Sequence, residues 1–445
     1  MADRRLALGP GDWKRAFEAR LQEHAKLVRL GHLRSVATGP PKFHAGNHAF
    51  YMRDGRVHLA WMLAAIRGAR RRIDLEMYIF DADATGVLVR DALVDAVRRG
   101  VAVRLLYDSI GSVAAGASFF DPIVQAGGLV TEFNPAAPWR LRMSRIGKLQ
   151  IWQPNARDHR KLLVCDAPMS FVEASKAQDG DALPPELDED AAADEPRTAI
   201  AILGGRNIAD HYLSRPLGDG QWRDCGVVIF GPVVTELGKM FDAMWTHAEG
   251  PDSAPPVLAT DPVGEIDILP LGSQPGFFNP LQWALSRLAA TVKTELRISC
   301  AYFIPSVRFR RALASAAKRS HRCLILVPKA SDVPMVDRAS RHLWGALLQA
   351  GVSIYRYAVD ILHEKTIVYD RVVTVVGSSN LDPRSFRLNY EISVIILGAT
   401  FAAPVVTGHD RDLQESEVYT LTDWQNRPFW QKLIDWFWSL LRSQL

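Results

Sequence analysis

The sequence predicts an α/β protein made of two similar halves, each an α-β-α sandwich. Residues 57–107 follow the order helix, buried strand, helix, strand, which contains a βαβ unit. The same order returns at residues 279–328, about half the chain length later. A short motif, H-x-K-x4-D, occurs once in each half. A tandem duplication accounts for all three observations, and we expect one active site at the interface of the halves.

In the first half, hydrophobic periodicity predicts helices at 57–70 and 86–99 and strands at 73–80 and 101–107. The strand segments, IDLEMYIF and VAVRLLY, are short and largely apolar, as is typical of strands covered on both faces. Because a helix joins them, the two strands are predicted to lie parallel.

The second half repeats this pattern. Helices are predicted at 279–293 and 306–318, and strands at 295–304 and 322–328. Tyr78 and Tyr302 stand at matching places in the first strand of each set. The order of elements carries the similarity, since the residue-by-residue identity is weak.

Shifts in composition divide the chain into parts. Trp13 and Phe17 lie near a helical period and predict an amphipathic helix in the amino-terminal extension. The predicted parts are a helical extension (1–42), a first half (43–250) with an acidic insert (173–197), a second half (251–410) and an amphipathic, tryptophan-rich helix (411–445).

The charge is unevenly distributed. The chain has 53 basic and 49 acidic residues, a net charge of +4. The insert at 173–197 holds nine acidic and two basic residues, a net of −7, so the rest of the chain carries +11. We interpret the insert as a solvated loop and the rest as a basic body suited to anionic partners such as phospholipid surfaces.

Other classes of protein are excluded by composition. The four cysteines are widely spaced, which argues against a disulfide scaffold and a structural zinc site and fits a reducing cytosol. The longest uncharged stretch, residues 392–408, is too short and too rich in glycine and proline to span a membrane. We therefore expect no metal, no cofactor and no transmembrane helix.

The repeated motif is His159, Lys161 and Asp166 in HRKLLVCD, and His363, Lys365 and Asp370 in HEKTIVYD. Each copy opens an apolar run typical of a strand, so the histidine and lysine, two residues apart, share one face. The aspartate, five residues after the lysine, falls on the other face. We interpret it as a hydrogen-bonding anchor more than as a proton carrier.

Further polar residues follow each copy. Gly205 and Asn207 come after the first, and Ser378 and Asn380 after the second. Glycine lets a backbone approach a ligand closely, and an asparagine amide donates to phosphate oxygens. These four residues are therefore predicted to bind substrate.

Each half also offers a supporting carboxylate, Asp224 in QWRDC and Glu391 in RLNYE. Such a group accepts a hydrogen bond from a histidine Nδ1–H, and this sets the tautomer that leaves Nε2 available. A surface ion pair is the alternative interpretation.

The doubled motif, with GGxN at 204–207 and GSxN at 377–380, resembles the phospholipase D superfamily. Within it, YIFDADATG, RRGVAVRLLYDSIGS and GSSNLDPRSFRLNYE are similar to bacterial cardiolipin synthases. The resemblance covers residues 44–440. Many of these synthases have amino-terminal membrane helices, and this chain resembles the shorter, membrane-peripheral type. The acidic insert departs from the usual spacing but leaves every motif residue present.

The resemblance implies a mechanism. One histidine attacks phosphorus to form a covalent phosphohistidine, and the other protonates the leaving alcohol and then deprotonates the incoming one. By analogy His159 is the nucleophile and His363 the acid and base, although the residues themselves leave that order open. Lys161 and Lys365 neutralise the phosphodiester in the ground state and stabilise the charge of the transition state.

The implied function is transfer of a phosphatidyl group to phosphatidylglycerol, which yields cardiolipin. The donor, a second phosphatidylglycerol or phosphatidylethanolamine, stays open. The alternative is a phosphodiesterase of the same family that hydrolyses phospholipid or nucleic acid. We expect no nucleic-acid partner, because stacking aromatics interleaved with basic residues are not evident. A scaffold with a vestigial site disagrees with two complete motifs.

Two segments predict contact with an anionic phospholipid membrane, at the cytosolic face of a bacterial cell. Residues 427–445 place polar side chains in one stripe and tryptophans among apolar residues elsewhere, as interfacial helices do. A helix docked on the protein core is the alternative. The segment PWRLRMSRIGK, before the first motif, is the second, and its basic side chains are suited to gathering anionic headgroups. A solvated loop with scattered charge is the alternative.

Overall fold

The computed structural model describes residues 9–28, 41–135, 155–176, 182–186, 195–213, 222–253, 258, 260–276 and 279–442. An amino-terminal helix is followed by the first half, which runs to His247. These elements are α1 (Pro10–Val28), β1 (His44–Met52), α2 (Gly55–Gly68), β2 (Arg72–Met77), α3 (Ala84–Arg98), β3 (Ala102–Asp108), α4 (Asp121–Ala126), β4 (Leu129–Phe133), β5 (Lys161–Pro168), α5 (Ser170–Lys176), β6 (Arg197–Gly204), β7 (Trp222–Arg223), β8 (Gly226–Phe230) and α6 (Val233–His247).

The second half starts at Ile266 and is followed by an edge strand and two helices. Its elements are β9 (Ile266–Ser273), α7 (Pro280–Thr291), β10 (Glu295–Cys300), α8 (Val307–Arg319), β11 (Arg322–Pro328), α9 (Pro334–Gln349), β12 (Ser353–Tyr357), β13 (Ile361–Leu362), β14 (Lys365–Tyr369), β15 (Val373–Gly377), α10 (Pro383–Arg387), β16 (Glu391–Leu397) and α11 (Ala399–Gln414). The last elements are β17 (Ser416–Tyr419), α12 (Leu421–Gln425) and α13 (Phe429–Leu440).

The two halves repeat one strand order. It is β4-β3-β2-β5-β6-β8-β1 in the first half and β12-β11-β10-β14-β15-β16-β9 in the second, with β17 added beside β12. The strands predicted to lie parallel do so, β2 with β3 and β10 with β11. The pairs from β5 to β8 and from β14 to β16 are antiparallel. The sheet is therefore mixed, because only the βαβ units need crossover helices.

Strand register decides where the motifs lie. Met77, at the carboxyl end of β2, pairs with Lys161, and Cys300, at the carboxyl end of β10, pairs with Lys365. Loops that follow β2, β3, β10 and β11 therefore lie at the same edge as the motifs, which we call the motif edge. Strand β5 runs away from it, so α5, which follows β5, lies at the opposite edge.

Local sequence explains where the flanking helices begin. Asp83 accepts a hydrogen bond from the backbone N–H of Gly86 (2.9 Å) at the start of α3. Ser306 does the same for Phe309 (3.3 Å) at the start of α8. Both are residue types that favour helix N-caps, since their side-chain oxygens satisfy backbone donors left free by the first turn.

Three large apolar clusters form the core. One lies under α2 and α3, and a second lies under α7 and α8 and includes Trp13 and Phe17 of α1. The third joins the halves, because it contains Val164 of β5, Val376 of β15 and side chains of α6 and α11. The amino-terminal extension thus packs on the second half, although it precedes the first in sequence.

The segment at 411–445, expected to be one helix, is several elements. Helix α11 continues to Gln414, and Ser416–Tyr419 pairs antiparallel with β12 because its backbone extends the sheet edge. Only Phe429–Leu440 forms the tryptophan-rich helix. The basic segment PWRLRMSRIGK lies outside the described residues. So does part of the acidic insert, whose described Ala182 accepts a hydrogen bond from the Trp61 indole (2.8 Å).

Candidate active site

Both motif histidines are held at the interface of the halves by backbone hydrogen bonds. The N–H of His159 donates to the carbonyl of Tyr390 (2.9 Å), and the N–H of His363 donates to the carbonyl of Arg223 (2.8 Å). In each case the acceptor belongs to the other half. The backbone therefore places each histidine beside the residue that follows its acceptor, which is a carboxylate.

The histidine–carboxylate contacts are crosswise, which means that each histidine contacts a carboxylate of the other half. Nδ1 of His159 lies 3.0 Å from both carboxylate oxygens of Glu391, in the second half. Nδ1 of His363 lies 2.6 Å from Oδ2 of Asp224, in the first half. The sequence predicted one carboxylate for each half, and the structure exchanges them. Neither half alone contains a complete histidine–carboxylate pair.

The site favours neutral histidines. Burial lowers the pKa of His159 to about 4, partly opposed by Glu391, and burial together with Lys365 lowers that of His363 to about 4. Burial would raise the pKa of Asp224, but Lys365 and His363 lower it to about 2. At neutral pH the carboxylate is thus charged and the imidazole neutral, with Nδ1–H donated and Nε2 left for reaction.

The two lysines lie beside the histidines, as strand alternation predicts. Nζ of Lys161 donates to the carbonyl of His159 (2.7 Å) and lies 4.9 Å from the ring centre of Tyr78. Nζ of Lys365 donates to the carbonyl of His363 and lies 3.9 Å from Asp224. Burial lowers the pKa of Lys161 to about 7, so its charge is sensitive to conditions near neutrality.

This lysine predicts an alkaline limit to activity. A neutral Lys161 cannot offset phosphodiester charge, so above roughly pH 7 its loss of a proton should lower kcat/KM about tenfold per pH unit, in addition to the fall set by the proton that His363 must carry as the acid. In Lys161→Arg the guanidinium stays charged, and the alkaline limb should move up by at least one pH unit even if the rate is lower. Steady-state assays from pH 5 to 9.5 measure this.

Lys365→Arg, the matching change in the other half, is the control and should leave the alkaline limb in place. Asp382, whose pKa burial raises to about 7, is another buried group near this range. An unchanged limb in Lys161→Arg would assign the transition to a group other than Lys161.

The small residues predicted to bind substrate contact the carboxylates. A Cβ on Gly205 would lie 2.3 Å from Oδ1 of Asp224, so only glycine fits there. The hydroxyl of Ser378 donates to Oε2 of Glu391. In the described structure, Gly205 thus leaves room for Asp224, and Ser378 holds Glu391. These are the two carboxylates that contact the histidines.

The two asparagines differ in their surroundings. Asn207 accepts a hydrogen bond from the N–H of Ile79 (3.0 Å) and donates to the Tyr212 hydroxyl (2.6 Å). Asn380 is buried, its Oδ1 makes no hydrogen bond in the described structure, and its backbone N–H donates to Ser385 (3.1 Å). Both remain predicted ligands for phosphate oxygens. The Asn207 side-chain amide already makes two hydrogen bonds within the protein, whereas Oδ1 of Asn380 makes none in the described structure.

Asp166 and Asp370 lie away from the histidines. Asp166 accepts hydrogen bonds from the backbone N–H groups of Arg70, Arg71 and Arg72 (2.9–3.1 Å). Asp370 accepts from those of Lys293, Thr294 and Glu295 (2.8–3.2 Å). Each carboxylate ties a motif strand to the turn before the neighbouring strand. The contacts are those of anchors, and they show no path for a proton to substrate.

Aromatic rings enclose the histidines, and the sequence pointed to only some of them. The ring of Tyr78 lies 4.7 Å from that of His159, and Tyr302 lies 6.2 Å from His363. Trp222 (4.7 Å) and Tyr212 (5.8 Å) also face His363. Trp222 stands two residues before Asp224, and this spacing, which strand alternation would place on one face, could have pointed to it.

Within the described residues, no group of three or more histidine, cysteine, aspartate and glutamate side chains is arranged to hold a metal ion. The four cysteines are buried and free. None of the described helices is both long and apolar enough to cross a membrane. The polar groups that the described structure gathers at the site are the paired histidines, lysines and carboxylates.

A family profile described as "Cardiolipin synthase, PLD-like domain" matches residues 62–245 and 285–412, most of the chain. The chain belongs to this family. It is therefore an enzyme of the phospholipase D superfamily, and the resemblance found in the motifs is confirmed. The matched segments correspond to the two halves, so the predicted fold of two phospholipase D-like sandwiches is confirmed as well.

Curated relatives agree with this assignment, and a solved structure shares the fold. The chain is 28% identical to a cardiolipin synthase of Alkalihalophilus pseudofirmus over 92% of its own length and 74% of the relative. It is 29% identical to the major cardiolipin synthase of Bacillus subtilis, over 88% and 74%. The phosphatidylserine synthase structure from Haemophilus influenzae shares the fold, with TM-score 0.62 and 14% identity over 96% of this chain and all of that one.

Proposed function

We propose that the protein is a cardiolipin synthase that transfers a phosphatidyl group to phosphatidylglycerol through a covalent phosphohistidine. The observation that carries the proposal is the crosswise pair of histidine–carboxylate contacts, His159 with Glu391 and His363 with Asp224. It supplies two imidazoles, each with Nδ1 occupied, in a family whose curated relatives are named cardiolipin synthases.

In the first step, Nε2 of His159 attacks phosphorus of the donor phosphatidylglycerol. The P–N bond forms, and the bond from phosphorus to the oxygen of the headgroup glycerol breaks. His363 gives that oxygen a proton, so free glycerol leaves. Glu391 offsets the positive charge that develops on His159. Because the anionic phosphodiester raises the pKa of His363 when it binds, Nε2 of His363, unprotonated in the free enzyme, takes up from solvent the proton that it then gives to the leaving oxygen.

In the second step, His363 takes a proton from a hydroxyl of the acceptor phosphatidylglycerol. That oxygen attacks phosphorus, the P–N bond breaks, and cardiolipin and a free His159 result. Lys161 and Lys365 offset the phosphodiester charge in both steps. Water in place of the acceptor gives phosphatidic acid, so exclusion of water decides between synthase and hydrolase. We propose that the enzyme acts on the cytosolic face of a bacterial cell membrane, as a peripheral protein.

Incubation of the protein with vesicles of labelled phosphatidylglycerol tests the proposal. We expect labelled cardiolipin and free glycerol as the main products. A second set of vesicles containing labelled phosphatidylethanolamine identifies the donor, because transfer from it releases ethanolamine. Phosphatidic acid as the main product would support the phospholipid hydrolase instead, and cleavage of DNA without lipid products would support the nuclease; either result would overturn the synthase.

A further inference from the structure

Helix α13 is amphipathic, but its apolar side faces solvent and its polar side faces the protein. Seven large apolar residues at this helix are 41–80% exposed, and we call them the α13 apolar face: Phe429, Trp430, Leu433, Trp436, Phe437, Leu440 and Leu441. Contiguous exposed apolar patches of this kind are uncommon on soluble monomers and indicate a contact surface.

The polar side of α13 holds it in this orientation. Asp435 is fully buried and accepts a hydrogen bond from Nη1 of Arg427 (2.6 Å), and Arg338 of α9 lies 3.7 Å from it. Ser439 is buried as well, its hydroxyl bonded to the Trp436 carbonyl (2.7 Å). A buried carboxylate needs its cationic partners. Rotation of the helix to bury the apolar face would therefore separate Asp435 from Arg427 and Arg338.

The carboxyl end of α13 reaches the motif edge. Trp438 packs in an apolar cluster with Tyr302 and Val333, and the Tyr302 ring lies 6.2 Å from that of His363. Two further exposed apolar side chains, Val307 (49%) and Met335 (40%), lie at the starts of α8 and α9. Those helices follow β10 and β11, so these side chains also belong to the motif edge.

Charge on this side of the molecule is mostly positive. Arg308, Arg311, Lys432 and Arg442 are exposed on α8 and at α13. Burial, and then the charges of Arg442 and Arg311, lower the pKa of Arg310, which shows that these cations lie close together. The acidic insert starts at the opposite edge. The exposed cations of α8 and α13 thus lie beside the α13 apolar face.

We propose that the α13 apolar face, with the neighbouring cations of α8, docks on an anionic phospholipid bilayer. Tryptophan and phenylalanine side chains enter the headgroup layer, and the arginines and lysine meet lipid phosphates. The inference rests on the proposed function only for the claim that the bilayer also holds the substrate. Docking at this place keeps the motif edge next to the lipids on which the site acts.

Vesicle sedimentation of the full chain tests the docking surface. The probe vesicles contain phosphatidylcholine with or without about 30% phosphatidylglycerol, enough to give a negative surface potential. Trp430→Ser combined with Phe437→Ser changes two exposed residues of the face, so the fold should be retained, as circular dichroism can check. We expect roughly a tenfold loss of binding, or more, to the anionic vesicles. Leu183→Ser, an equally exposed position in the acidic insert, should bind as the unchanged protein does.

Activity separates docking from chemistry. The double variant should lose activity on vesicles yet keep it on short-chain phosphatidylglycerol in detergent micelles, whereas His159→Asn should lose activity in both and still bind vesicles. Equal vesicle binding by the double variant would overturn the docking surface. A lipid-free dimer that becomes a monomer in the double variant would overturn it too, in favour of a second copy as the occupant.

Discussion

Replacing either motif histidine with asparagine should lower phosphatidyl transfer by at least about 10³-fold, because each imidazole has a step that no neighbour can perform. Asparagine can still donate a hydrogen bond to Glu391 or Asp224, so the fold of the site should be kept. Transfer is measured by labelled cardiolipin formed from labelled phosphatidylglycerol. His321→Asn, on the exposed surface after α8, should leave the rate unchanged.

The same two variants also assign the histidines. A donor lipid with a nitrophenol leaving group needs no general acid, so the variant that keeps the nucleophile should release nitrophenol and become labelled with phosphatidyl group. With His159 as nucleophile, His363→Asn accumulates the labelled intermediate and His159→Asn does not. Label on His159→Asn alone would reverse the assignment, and full activity in both variants would refute the mechanism.

Replacing the crosswise carboxylates should have the next largest effect. Glu391→Gln and Asp224→Asn keep the size of each side chain but allow its amide to donate to Nδ1, which favours the wrong histidine tautomer. In a serine protease the comparable change lowers kcat about 10⁴-fold. We expect a loss of about 10²–10⁴-fold here. The loss should fall mostly in kcat, since both carboxylates contact Nδ1 of a histidine and not the Nε2 that we propose reacts with substrate.

Two measurements distinguish this positioning role from general damage. The melting temperature of each variant should stay close to that of the unchanged protein. In Asp224→Asn, for example, the N–H of Cys225 can still donate to the new amide oxygen, as it does to Oδ1 of Asp224 (2.7 Å). Glu417→Gln, which alters an exposed ion pair with Lys329, is the matched control and should leave kcat unchanged. A rise in KM with kcat preserved would contradict the positioning role.

The face on which each motif residue lies could be predicted from the local sequence pattern. His159 and Lys161, two residues apart on a strand, were predicted to share a face, and both lie at the interface with their side chains in one site. Asp166 was predicted on the opposite face, and it binds the backbone of residues 70–72 there. Strand alternation depends only on the backbone geometry of a few neighbouring residues, so the sequence carries it.

The partners of the histidines could not be predicted in the same way. Glu391 follows His159 by 232 positions, and nothing in the local pattern says which half supplies the carboxylate. The exchange arises because Asp158, just before β5, bridges to Tyr390, just before β16 of the other half, and β13, just before β14, pairs with β7. That pairing depends on how the two complete halves join, through the antiparallel pair of β1 and β9 and a shared apolar cluster.

The sequence by itself determined the duplication, the α/β class, the family and the two motifs whose residues we propose to carry the chemistry, since repeated motifs and hydrophobic periods are written in linear order. Tertiary structure alone decided which carboxylate orients which histidine and which side of α13 faces outward. The helical period defines two faces, but burial of Asp435 between Arg427 and Arg338 selects the polar one for the interior. Those choices depend on contacts between residues far apart in the chain, and such contacts exist only once the halves have packed.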